Sequence, residues 1–154
     1  MRKVRAAVKH RVLVIDDEED SRDAVSRRLK ADGFEVEEAA SPAEAVAKIN
    51  AASPAYEVIV TDMVMESPDS GVQTLIAALQ RDIFCEVIVL TAYGNVGNAV
   101  DSMRRGAFDY LQKNDPHQDV YEQLVERVHS AFQRRRSSTE AVRRLTRTLQ
   151  ETED

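Results

Sequence analysis

The chain has 154 residues, 43% of them apolar and 31% charged, with a net charge of −6 and a single cysteine. That balance suits one folded soluble domain, and it excludes an internal disulfide, a cysteine-based metal centre and, since no apolar run nears the roughly 18 residues of a membrane span, an integral membrane protein. Charge is uneven: residues 1–11 carry +5, residues 132–154 carry +2, and the ten basic and 23 acidic residues between them leave −13, a poor nucleic-acid surface.

The first element is a strand over about 11–16, where Val12-Leu13-Val14-Ile15 runs straight into Asp16-Asp17-Glu18-Glu19. A helix follows at about 18–31, with Ala24, Val25 and Leu29 on its apolar side and Gly33 just past its end. A second strand covers about 34–39. The second helix opens on Ser41-Pro42-Ala43-Glu44, where the serine caps, the proline takes the first helical position and the glutamate completes a capping box. Strand three, 57–62, ends in Asp62; helix three covers about 71–81. Strand four, 86–91, ends in the hydroxyl of Thr91, and helix four runs over 96–105 behind Asn95. Strand five, 107–112, ends at Lys113, and a fifth helix begins near 116. Short β-branched runs alternating with helices predict a parallel sheet covered on both faces. Cys85 reads as a packing residue before strand four. The start Met1-Arg2-Lys3-Val4-Arg5 lacks the apolar segment of a secretory signal, and both features fit a reducing cytoplasm.

Open parallel sheets bind ligands at the carboxyl ends of their strands. If strands one, three, four and five are neighbours, that edge gathers Asp16, Asp17, Asp62, Thr91 and Lys113. Like charges about 4 Å apart repel by roughly 4 kcal/mol at an effective dielectric near 20, so such acids need a cation. An all-oxygen set points to magnesium, which takes one or two carboxylates with water and phosphate oxygens, rather than to zinc.

These residues, in this order and at these spacings, resemble the response-regulator receiver family over about residues 10–132. The segments from Thr91 to Val96 and from Met103 to Tyr110 look most like receivers of enhancer-binding transcription activators. The resemblance implies a doubly wound α/β fold with a five-stranded parallel sheet in order 2-1-3-4-5, flavodoxin-like, here with an extended C-terminal helix. It implies phosphorylation of Asp62 by a partner histidine kinase or phosphotransfer protein. Asp16 and Asp17 would hold Mg2+ with Asp62 and Val64, Lys113 would bind phosphate, and Thr91 and Tyr110 would be the switch pair. Ala92 leaves the approach to the phosphate open. Val64 and Tyr93, two beyond Asp62 and two beyond Thr91, flank the path of an attacking water; neither side chain orients water well, so a long-lived phosphoryl group is expected.

Two positions depart from the family pattern. Gly71 stands nine residues after Asp62 instead of eight, which lengthens the loop by one. Lys113 is followed by Asn114 where the family usually has a cis proline, and a cis bond before a non-proline residue costs about 2.5–4 kcal/mol. Lys113 is therefore expected to be aimed less firmly. The alternatives are a degenerate receiver serving as a constitutive dimerisation scaffold and a phosphohydrolase of similar topology, which normally has an acid two residues after its nucleophile where this chain has Val64. A flavin or nucleotide binder lacks its glycine-rich loop here.

Past the core, Tyr121, Leu124, Val128, Ala131, Arg135, Ser138, Val142, Leu145 and Leu149 recur at spacings of three and four, a heptad seam broken at Arg135 and Ser138. The seam predicts either a signalling helix that forms a homodimer and leads toward a downstream effector domain, or a frayed linker after Phe132. The expected layout is a basic N-terminal arm at 1–10, a receiver at 11–132 and a helical extension at 133–154. No membrane contact and no direct nucleic-acid contact by the domain are expected.

Overall fold

The computed structural model describes residues 10–92 and 94–153; of the basic arm only His10 falls within it, and Tyr93 lies outside. Ten elements alternate without interruption: β1 (Arg11–Ile15), α1 (Glu19–Ala31), β2 (Glu35–Ala39), α2 (Pro42–Ala51), β3 (Val58–Thr61), α3 (Ser70–Arg81), β4 (Glu86–Thr91), α4 (Val96–Arg104), β5 (Asp109–Gln112) and α5 (Val120–Glu153). The five strands form one parallel sheet in order β2-β1-β3-β4-β5. The parallel sheet is what the alternation of β-branched and amphipathic runs predicts, and its strand order is the one the receiver resemblance implies.

Strand periodicity assigns the two faces. Val12 and Val14 with Val58, Val60, Ile88 and Leu90 face α1 and α5. The intervening Leu13, Ile15, Ile59, Val87 and Val89 face α2 and α3. Both faces are buried, which is why β1 and β4 read as continuous apolar runs rather than alternating ones. Fully burying a Leu or Ile side chain contributes about 1.5–3 kcal/mol, and Leu13, Ile15, Leu29, Ile59, Ile88 and Leu124 are all of this kind.

Helix starts follow local chemistry. Ser41 Oγ accepts from Glu44 N at 3.1 Å, and the Glu44 carboxylate answers by accepting from Ala40 N at 3.0 Å, one residue earlier than the expected reciprocal bond to the cap. Asn95 Oδ1 accepts from Asn98 N at 2.8 Å and starts α4 as its sequence position suggests. The expected start of the fifth helix near 116 is corrected to Val120, because Asp119 Oδ1 accepts from the N–H groups of Tyr121 and Glu122 at 3.1 and 3.2 Å and is the true cap. Strand five begins at Asp109 and not 107, although Phe108 N already donates to Val87 O at 2.7 Å.

Helix α5 is continuous for 34 residues, about 51 Å at 1.5 Å per residue. Val120, Leu124, Val125, Val128, Ala131 and Phe132 pack against the sheet. Arg134 and Arg135 still pair with the body, and residues 140–153 continue the helix with every residue exposed. The break at Arg135 has a cause: its guanidinium lies 2.9 Å from Asp82 Oδ2 and 3.6 Å from Glu57 Oε2, at the amino-terminal end of the sheet.

Candidate functional site

Three hydrogen bonds beyond the strand ends align the acidic edge. Asp16 N donates to Ala39 O at 3.1 Å, Asp62 N to Ile15 O at 3.0 Å, and Lys113 N to Thr91 O at 2.9 Å. Register therefore carries past β1, β3 and β5 and delivers Asp16, Asp62 and Lys113 to one edge. Asp16 and Asp62 are buried, 4% and 5% exposed, while Asp17 faces solvent. One carboxylate oxygen from each of Asp16, Asp17 and Asp62 lies within 4.8 Å of the other two.

Lys113 Nζ sits 2.6 Å from Asp16 Oδ2 and 3.4 Å from Asp62 Oδ2. Burial alone would lower the ammonium pKa, but the hydrogen bond it donates to Asp16 and the charges of Asp62 and Asp16 outweigh it and hold Lys113 above its ordinary value. The lysine reaches both acids without a cis bond before Asn114; Ser53–Pro54 is the sole cis peptide among the described residues. The ammonium leans toward Asp16. The second oxygens are held by backbone: Asp16 Oδ1 accepts from Glu18 N at 2.9 Å and Asp62 Oδ1 from Val64 N at 3.3 Å.

A cavity of about 460 Å³ opens above these groups, lined by Asp17, Glu18, Asp62, Val64, Met65, Ala92 and Lys113. Its donors are carboxylate oxygens, of the buried Asp62 and of the solvent-facing Asp17 and Glu18, which fits magnesium with retained water and not a softer metal. Ala92 forms part of its wall. Thr91 is fully buried at the end of β4. Tyr110 is half-buried on the α3 side of the sheet. Burial pushes its phenol above the ordinary value against the pull of the Asn95 backbone, and the Asp62 charge adds to the rise.

Glu18, Met65 and a polar network behind the acids escaped the sequence, which singled out Gly71 only by its spacing from Asp62. Glu18 and Met65 line the cavity. Behind the acids, Arg22 donates to the Asp16 carbonyl at 2.8 Å and pairs with Glu38 at 3.6 Å, while Ser26 Oγ donates to the same Glu38 at 3.0 Å. Arg22 and Ser26 are four apart, and that spacing on α1 was the signal available. The longer loop after Asp62 closes on Gly71: a Cβ there would lie 2.6 Å from Asp62 O and 2.8 Å from Met63 Cα, and its N–H donates to Met63 O at 2.9 Å. Only glycine permits this approach of α3 to the acidic loop.

Comparison with known proteins identifies the family and the fold. A family model described as the response regulator receiver domain matches residues 12–126. The acid tolerance regulatory protein ActR of Rhizobium meliloti is 36% identical over 116 residues, covering 75% of this chain and 58% of that protein. A receiver-domain crystal structure from Clostridium thermocellum superposes with a TM-score of 0.73 at 29% identity, covering 82% of this chain and 97% of that one. NtrX from Brucella abortus gives 0.75 at 26% identity, with 88% of this chain but only 30% of that one covered. The chain spans just over half the length of ActR and under a third of NtrX.

Proposed function

Because the chain belongs to the response regulator receiver family, we propose that it is the phosphoacceptor module of a two-component system, phosphorylated on Asp62 by a partner histidine kinase or phosphotransfer protein in the cytoplasm. The observation that carries this is the buried Asp62 carboxylate, flanked by Asp16, Asp17 and the Lys113 ammonium, on the wall of an open cavity.

An Asp62 carboxylate oxygen attacks phosphorus, the bond from phosphorus to the donor nitrogen or oxygen breaks, and the leaving group keeps the electron pair. In phosphoryl transfer the protein positions groups and stabilises charge on the equatorial oxygens. Lys113 moves its ammonium from Asp16 toward the new phosphoryl group, and Thr91 supplies a hydroxyl. Asp16, Asp17 and Asp62, with the backbone at Val64, would hold Mg2+, which neutralises phosphoryl charge when bound. Thr91 and Tyr110 then form the switch, and the face of α4, β5 and α5 changes its affinity for a partner. The basic arm at 1–10 and the helix at 133–154 flank the receiver at 11–132. The exposed Val142, Leu145 and Leu149 on the projecting part of α5 are assigned to a homodimer contact leading to a downstream effector domain.

With magnesium and acetyl phosphate the protein should gain the mass of one phosphoryl group, and the Asp62→Asn variant should not. Chelation by EDTA should abolish the gain. Equal labelling of the variant overturns the assignment, and an inert response to beryllofluoride favours the constitutive scaffold. For the dimer, light scattering should show a monomer when Leu145 and Leu149 are both replaced by Asp. An unchanged dimer places the contact elsewhere.

A further inference from the structure

Gly94 lies in the loop between β4 and α4, three residues after Thr91 and one before the cap Asn95. Its φ is not in the left-handed region; among the described residues the positive-φ glycines are Gly33 and Gly106. The backbone at 94 therefore admits any residue. What forbids a side chain is Tyr110: a Cβ at Gly94 would stand 2.6 Å from the phenolic oxygen and 3.0 Å from Cε1, and 2.8 Å from Gln112 Nε2. Real Cβ atoms do not make such contacts. The atoms in conflict are the far ends of side chains. Gln112 is exposed and its amide can swing into solvent, whereas the Tyr110 hydroxyl is fully buried and its ring packs on the core cluster behind α3.

We infer that Gly94 is a positioning residue for Tyr110: the absent side chain at 94 is what lets the ring occupy its inward site beneath the β4–α4 loop. This rests on the phosphoacceptor reading only in treating Tyr110 as a switch, and it names the residue that sets the switch's resting position. With any larger residue at 94, relief comes from rotation of the tyrosine about its Cα–Cβ bond toward solvent. The loop that follows Thr91 and the aromatic on β5 are thereby coupled through one missing methyl group.

The test is fluorine NMR of the full chain labelled with 3-fluorotyrosine, the Tyr110 resonance being the one lost in Tyr110→Phe. In the unsubstituted protein that resonance should show an H2O/D2O solvent shift well below that of an exposed ring, as suits a half-buried side chain. In Gly94→Ala it should acquire the full solvent shift of an exposed ring while the Tyr56 resonance stays put. A Tyr110 resonance still buried in Gly94→Ala overturns the inference, because the loop has then yielded instead of the ring. A double-mutant cycle guards against a folding defect: Gly94→Ala should lower the melting temperature in the native background and leave it unchanged or raised with Tyr110→Ala, where the clash is gone. An equal drop in both backgrounds also overturns it. Acetyl phosphate labelling of the same samples keeps the two claims apart, since loss of labelling in the unsubstituted protein defeats the phosphoacceptor reading and leaves the ring result standing.

Discussion

Helices α4 and α5 flank the same edge strand, β5, and are held in opposite ways. Helix α4 buries one side chain, Ser102, whose hydroxyl has no hydrogen-bond partner among the described residues, and it exposes Val96, Val100 and Met103. Helix α5 buries six side chains in its first four turns and is tied to the body by Arg127–Asp109, His129–Asp32, Arg134–Glu86 and Arg135–Asp82. The loop from Thr91 leads directly into the loosely held helix. Whatever happens at the acidic edge therefore meets little resistance in α4, whereas α5 keeps its direction as it leaves the domain. Low local stability is where functional motion is drawn from.

The sharpest way to break this contrast is to remove one side chain from each helix. Leu124→Ala empties a fully buried site on α5 and should lower the unfolding free energy by about 2–5 kcal/mol in a urea titration. Val100→Ala, at a position 43% exposed on α4, should stay within about 0.5 kcal/mol. Similar losses would mean that α4 is anchored as firmly as α5. Next in size is Arg135→Met, which leaves Asp82 and Glu57 facing each other without their cation. It should cost about 1–3 kcal/mol, and no loss would show that the ion pairs steer the helix without stabilising it.

The same contrast explains what the sequence disclosed. The strands, the acid edge and Lys113 were legible because buried parallel strands carry unbroken apolar runs that end in those residues, whereas the strand order came from the resemblance to receivers. The first part of α5 was legible by periodicity, yet Arg135 read as a flaw in the seam. Its partners, Glu57 and Asp82, are 78 and 53 residues away in the chain, and only the fold reveals them. Asp119 as the cap of α5 was not legible because Asp115 and Asp119 both precede the apolar run, and only the fold shows which of them receives the N–H groups of the first turn. Ser102 was invisible because α4 has the apolar spacing of a core helix while exposing most of it. Gly94 answers to Tyr110 and Gln112 on β5, so no local rule selects it, whereas Gly71 answers to Asp62 and Met63 at the start of its own loop.

A smaller effect, of opposite sign, comes from Ser102→Ala. A buried hydroxyl without a partner costs about 1–3 kcal/mol relative to a satisfied one, so its removal should raise stability by about 1 kcal/mol and slow amide exchange across residues 96–104. If α4 is the element that yields, the gain should appear in local exchange even where the global melting temperature hardly moves. Destabilisation by the alanine would mean that the hydroxyl is satisfied in solution and that α4 is better held than its packing suggests.

A chemical readout of the same contrast concerns Cys85, which lies just before β4 beside the α5 ion pairs. Burial pushes its thiol up to about 12, helped by Asp82 and opposed by Arg135. At pH 8 only roughly one molecule in 10,000 then carries the thiolate, against about a quarter in the unfolded chain with its ordinary value near 8.5. Reaction with a disulfide reagent should be on the order of 10³-fold slower in the folded protein than in urea. The sign of the linkage follows: the folded value is raised, so the contribution to stability is complete below the unfolded pKa and is lost as pH climbs from about 9 toward 12. Arg135→Met should quicken the reagent by removing those ion pairs, while Val100→Ala on α4 should leave it unchanged. Equal acceleration by both would place the opening motion in the whole domain and erase the distinction between the two helices.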